Sequence, residues 1–165
     1  QASVPGFIQA LEALSKILDK AEAFCTAKKV DPSVIVGARL APDMFPFSRQ
    51  VQIACDFAKG ASARLAGVEV PAYEDNEKSF ADLKARIKKT IDFVKTIKPA
   101  QIDGSEERDI SLKIAGNPVT LKGQFYLVNF ALPNYYFHLT TAYAILRHDG
   151  VELSKSDFLG MTLGR

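Results

Sequence analysis

The sequence predicts a mainly all-α domain, a four-helix bundle with one β-hairpin inserted before the last helix, formed by residues 1–165 as a single unit. Two observations predict it. Apolar residues recur every three or four positions over four long stretches, the period of a helix with one buried face. Between Glu107 and Lys122 alone, the period falls to two, the period of a half-buried strand.

The first helix is predicted from Val4 to Lys28, with Ser3 as N-cap and Pro5 in its first turn. Val4, Phe7, Leu11, Leu14, Leu18, Ala21 and Cys25 form its stripe. Residues Asp31 to Phe45 hold Pro32, Gly37 and Pro42, but Val34-Ile35-Val36 and Leu40 are too apolar for a freely solvated loop. A short helical turn and an ordered, packed connection are expected there. Pro46 opens the second long helix, which ends before Gly67, with Phe47, Val51, Ala54, Ala58, Ala61 and Leu65 on its buried side. Its alanines allow a neighbouring helix to approach closely.

After an acidic loop containing Pro71, Ser79 and Asp82 have the spacing of a capping box. Phe80, Leu83, Ile87, Ile91, Val94 and Ile97 follow at helical spacing until Pro99 stops the third helix. Ile110, Leu112 and Ile114 then alternate with polar residues, as do Val119 and Leu121, around a turn at Ala115-Gly116-Asn117-Pro118. A lone hairpin is marginal in water, so it should lie against the bundle. The last helix is predicted from Gln124 to His148 and ends at Gly150, with Pro133 inside it displacing the carbonyl of Asn129. It is apolar on more than one side, with Leu127, Ala131 and Ile145 on one and Phe125, Leu132, Tyr136 and Tyr143 on another. The second side should meet the hairpin, the tail or another subunit. Val151 to Arg165 read as an ordered tail anchored by Leu153, Phe158 and Leu159.

Composition narrows the function classes. With 47% apolar and 24% charged residues the chain has the balance of a globular protein, and a net charge of +2 makes no case for nucleic acid. The basic residues between Lys84 and Lys98 are interrupted by acidic ones and read as a solvated face. No stretch is long and apolar enough to span a bilayer, so no membrane partner is expected. The first residues lack a basic region followed by an apolar one, and the two cysteines, Cys25 and Cys55, read as small buried hydrophobes. A cytoplasmic location follows as the expectation. No phosphate-binding glycine loop, nucleophile elbow, CxxC or HExxH pattern occurs, which argues against the common ATP-dependent, serine-hydrolase and zinc-protease chemistries.

The polar residues of the last helix point to a site. At about 100° per residue, Leu127, Ala131, Asn134, His138, Thr141 and Ile145 fall on one core-facing third of the helix. Buried polar groups cost roughly 1–3 kcal/mol each unless paired, so Asn134, His138 and Thr141 need partners or a ligand. A second constellation runs from Asp43, Met44 and Phe45 into Arg49, Gln52 and Asp56. Arg49 and Asp56 share the face of the second helix opposite its apolar stripe. That face is either solvated or covered by the preceding proline-bounded loop, in which case Asp43 and Arg49 orient a polar ligand. His148 reads as an ordinary basic residue in a last turn. Tyr126, Tyr135 and Tyr136 read as packing aromatics.

At these residues the chain resembles the DinB-like superfamily of four-helix proteins, which includes metalloenzymes and thiol-dependent transferases. Leu146-Arg147-His148-Asp149-Gly150 is similar to the L-R-x-x-G ending of that superfamily's last helix. Counting back puts one of its paired histidines at His138 and the other at Asn134, while the third ligand falls on the second helix, where Gln52 or Asp56 stands. The fuller resemblance is to the domain-of-unknown-function 1993 branch. It rests on Arg39-Leu40-Ala41-Pro42-Asp43-Met44-Phe45-Pro46, Arg49-Gln50-Val51-Gln52, Ala63-Arg64-Leu65-Ala66-Gly67 and Phe130-Ala131-Leu132-Pro133-Asn134. It implies a DinB-like bundle and a homodimer.

Three functional readings follow. The first is a small-molecule site near His138, with His138 as general base or acid, Asn134 and Thr141 orienting, and Asp43, Met44, Phe45, Arg49 and Gln52 at the rim. It calls for no cofactor and no metal, and is open to catalysis or to binding alone. The second is a non-enzymatic homodimer whose polar pair fixes packing. The third is a metal-dependent enzyme with an altered ligand set, His138 with Asp56 or Gln52.

Overall fold

A computed structural model describes residues 3–161. Four long helices form the bundle: α1 (Val4–Lys28), α3 (Phe47–Ala66), α4 (Phe80–Lys95) and α7 (Leu132–His148). Short helices join or close them: α2 (Pro32–Val36), α5 (Pro99–Ile102), α6 (Gly123–Phe125) and α8 (Lys155–Leu159). Strands β1 (Asp109–Ile114) and β2 (Asn117–Lys122) make the antiparallel hairpin before the last helical run. A mainly helical bundle with one inserted hairpin is therefore what the chain adopts.

Helix α3 is central, packed along α4 on one side and α7 on the other, while α1 lies against α4 and α8. Its composition explains the position. Ala54, Ala58 and Ala61 are fully buried and short enough for both neighbours to approach, and Phe47, Val51 and Leu65 continue the stripe. Helix α1 buries Phe7, Leu11, Leu14, Leu18, Ala21 and Cys25 as its periodicity requires. Gly67 ends α3 in the left-handed conformation at φ 69°, where its amide and that of Val68 close the last turn. The box at α4 is complete: Asp82 N–H donates to Ser79, whose own N–H donates to the Asp82 carboxylate. Cys55 is buried, and burial pushes its thiol up to about 12, so it stays protonated and inert.

Several local expectations change. Ser3 occupies the N-cap position, but its backbone is helical and its side chain makes no capping bond; capping needs an extended N-cap residue whose hydroxyl reaches the next turn. Helix α4 ends at Lys95, before Pro99, and Pro99 opens α5 instead of merely stopping α4. The turn of the hairpin is the two-residue Ala115-Gly116, both with positive φ, as tight hairpins require. Ile110 is buried and Leu112 and Leu121 pack on the core, so the hairpin does lie on the bundle.

The break expected at Pro133 takes the form of a π-helical segment over Tyr126–Ala131. Pro133 has no N–H, and its ring would press on the carbonyl of Asn129 in a regular helix. The helix widens just before it, with Leu132 N–H donating to the Leu127 carbonyl five residues back.

The tail returns to the bundle: Phe158 packs edge-on against Tyr143, and Lys20 pairs with Asp157 at 2.6 Å. Leu153 is buried. The rest of the predicted tail, residues 162–165, lies outside the described residues. Of the second apolar side of the last helix, Tyr143 is covered by the tail, whereas Phe125 and Tyr136 are exposed. Among the described residues no helix is long and apolar enough to cross a membrane.

Candidate functional site

Where α3 meets α7, His138 stands half-buried with its Nδ1 2.7 Å from Oε1 of Gln50. Gln50 is almost wholly buried, and its Nε2 donates to the Phe45 carbonyl at 3.0 Å. Phe57 lies nearly parallel to the imidazole at 6.1 Å, and Phe137 meets it edge-on at 5.2 Å. Phe45 and Phe137 are both more than half exposed, so the imidazole sits at an aromatic edge of the bundle. Arg49, one residue before Gln50, has its guanidinium 5.9 Å from the Phe45 ring.

Burial, and then the nearby charge of Arg49, hold the His138 pKa below its ordinary value of 6.5, so the ring is neutral at pH 7. A group favoured in its neutral form by folding contributes stability above its unfolded pKa and loses it as pH falls through the folded one. Wild-type stability should therefore decline on acidification below about pH 6.5, and His138→Gln should flatten that part of the profile. Urea unfolding of both proteins at about pH 7.5 and about pH 5.5 checks this; parallel profiles would refute it.

The other predicted residues divide. Asn134 Nδ2 donates to the Phe130 carbonyl and Thr141 Oγ1 to the Phe137 carbonyl, each at 2.7 Å and each four residues back on the same helix. The polar stripe thus satisfies part of its own hydrogen bonding, which is why it can stand against the core. Asn134 and Thr141 remain one turn before and one turn after His138. Phe45 joins the site through its carbonyl and ring. Met44 is half-buried with its carbonyl accepting from Arg39, and Asp43 is exposed.

Gln52 and Asp56 face elsewhere. The α3 face they share is covered, but by the acidic loop between α3 and α4 and not by the Asp43 loop. Gln52 Nε2 donates to Glu77 at 2.8 Å, and Asp56 pairs with Arg86 at 2.9 Å and Lys59 at 3.1 Å. Asp75 bridges Arg49 at 2.6 Å and Arg86 at 3.0 Å, while Glu77 reaches Arg86 at 3.0 Å. Lys59 and Lys89 lie 3.8 and 4.1 Å from the centre of the Tyr73 ring, pinning the loop further. Asp56, Asp75 and Glu77 so surround Arg86, with Lys59 and Arg49 at the margin, and Gln52 belongs to this network. An open polar cleft of about 640 Å³ beside it, lined by Tyr73, Glu74, Glu77, Arg86 and Lys89, does not include His138. Arg86 and Glu77 within it already satisfy each other, so the His138 edge is the better candidate despite the cleft's size.

Gln50 and Phe57 were absent from the predicted site. The signal for Gln50 was present: it stands four, seven and eleven residues before Ala54, Phe57 and Ala61, a buried amide on an apolar stripe.

A family model for a domain of unknown function (DUF1993) matches residues 1–159. The chain belongs to the DUF1993 family. It is also similar to a DinB family member protein from Shewanella denitrificans, whose crystal structure at 1.83 Å superposes with a TM-score of 0.89. The two are 40% identical, over 99% of this chain and 92% of that one. No curated protein matches.

At the three positions of the metal triad that the DinB-like resemblance implies, the described side chains of this DUF1993 chain have other partners. The positions carry His138, whose Nδ1 is held by Gln50, Asn134, which is bonded to its own helix, and Gln52 or Asp56, which face the loop network. Among the described residues no three histidine, cysteine or acidic side chains gather as ligands.

Proposed function

We propose that this DUF1993 protein binds a small molecule at the aromatic edge around His138, where α3 meets α7. The observation that carries the reading is a neutral imidazole, held by a buried amide and flanked by Phe57 and Phe137, with a cation close enough to depress its pKa. A neutral histidine is a proton acceptor near pH 7, the property a general base needs. Arg49 would hold an anionic group, since only its Nη1 has partners among the described residues. Phe45 and Phe137 supply an apolar rim, and Asn134 and Thr141 offer acceptor oxygens on either side of His138. Asp43 and Met44 would close over the ligand from the loop.

Thermal-shift screening with aromatic carboxylates and phosphate monoesters tests it. At least one compound should raise the Tm of the wild type and fail to raise that of His138→Ala or Arg49→Ala. An equal response from the variants, or none from the wild type, would overturn the reading.

A second reading concerns assembly. Phe125, Val128, Tyr136 and Phe137 are large apolar side chains exposed along the last helical run, and such surface favours self-association. A homodimer through this face would give a two-chain mass in sedimentation equilibrium, converted to one chain by Phe137→Glu. A wild-type monomer would refute it.

A further inference from the structure

We infer that Gln50 is a positioning residue that fixes which nitrogen of His138 carries the proton. A carbonyl oxygen accepts only, so the group of Gln50 that lies 3.0 Å from the Phe45 oxygen must be its NH2. Turning the amide over would set two oxygens against each other in a site without room for rearrangement, because Gln50 is almost wholly buried.

The amide oxygen is thereby aimed at His138, 2.7 Å from Nδ1. Oxygen again only accepts, so the neutral ring must place its single proton on Nδ1 and leave Nε2 with the lone pair. Free histidine side chains favour the reverse arrangement, with the proton on Nε2. The chain Phe45 carbonyl, Gln50 amide, His138 imidazole therefore sets a tautomer that the isolated side chain would not choose. It works as a carboxylate or carbonyl does behind a metal-bound histidine, orienting the ring and raising the basicity of its far nitrogen.

The consequence deepens the reading of His138 as a proton acceptor and rests on it. The accepting atom is Nε2. A proton leaving a bound ligand goes to Nε2, while the Nδ1–H stays on Gln50 and becomes a stronger, charge-assisted bond. The loop residue Phe45 takes part through its backbone, so the chemistry of the site depends on how the Arg39–Pro46 loop lies. Arg39 holds that loop by donating to the Met44 carbonyl.

The test reads the imidazole itself, without a ligand. The chain has two histidines, and His148 is exposed, so it serves as an internal reference. Long-range 1H–15N correlation spectra of the ring nitrogens, recorded in alkaline buffer, should show His138 protonated on Nδ1 and His148 mainly on Nε2. Gln50→Met, close in size and without an acceptor oxygen, should move His138 to the Nε2–H form. Gln50→Glu should keep the Nδ1–H form, because a carboxyl group in either protonation state offers an acceptor.

A wild-type His138 protonated on Nε2 would overturn the inference, as would a Gln50→Met spectrum identical to wild type. The wild-type spectrum decides even if Gln50→Met does not fold. A failed ligand screen would leave this result standing, and an Nε2–H result would leave the screen standing, so the two proposals fail separately.

Discussion

Replacing Arg86 by alanine is expected to destabilise the protein by about 3 kcal/mol, the lower end of what breaking a buried ion pair costs. Arg86 is 3% exposed and faces Asp56, Asp75 and Glu77, with a further bond from Nη1 to the Glu74 carbonyl. The lower end is right because two of its partners are not buried. The side chains of Asp56 and Asp75 are 38% and 41% exposed and can turn to water, whereas that of Glu77 is 9% exposed and would be stranded. Loss of the guanidinium also frees the loop from α4, so limited proteolysis should cut between Val68 and Ser79 faster than in the wild type. Arg49→Ala is the control: its pair with Asp75 is between side chains 36% and 41% exposed and is worth less than about 1 kcal/mol. Urea midpoints at constant slope measure both, and an Arg86→Ala midpoint equal to wild type would show that the network carries no stability.

The second large effect lies at the return of the hairpin. Gly123 N–H donates to the Arg108 carbonyl at 2.8 Å, and a Cβ placed on Gly123 would come 2.0 Å from the Ser105 carbonyl oxygen. The obstacle is backbone, so no rotamer change relieves it, and Gly123→Ala should cost about 3 kcal/mol, high in the range for overpacking. Gly104, at φ 82° with open space around its Cβ position, is the comparison. Gly104→Ala carries only left-handed strain, about 1 kcal/mol. Equal midpoints for the two variants would contradict the steric account.

Elements written in local patterns were legible. The stripes of α1, α3, α4 and α7 need only a helical period, the hairpin only a period of two around a positive-φ turn, and the α4 box only Ser79 and Asp82 at their spacing. What was illegible depends on which face of one helix meets which face of another. Gln52 and Gln50 are two residues apart and point to nearly opposite sides of α3. Choosing between them required knowing that α7 lies against the Ala54–Ala61 side. The acidic loop gave no sign of covering α3, because Asp75 and Glu77 acquire partners only when α4 brings Arg86 beside α3. For Asn134 and Thr141, the carbonyl four residues back was available to each as a partner, a local option that the reading from buried polarity passed over.

The π-helical segment has a consequence for how the last helical run tolerates changes in length. Tyr126 accepts a bond from Arg64 at 3.2 Å and His138 meets Gln50, so residues twelve apart both address α3. In a regular α-helix twelve residues advance by about 1200°, which would leave the two side chains about 120° out of phase. The wide turn holds one spare residue and absorbs most of that difference. Removing a residue between Tyr126 and Ala131, together with Pro133→Ala, would shorten the run yet leave both groups on α3. The same deletion between Pro133 and His138 would rotate the imidazole away from Gln50.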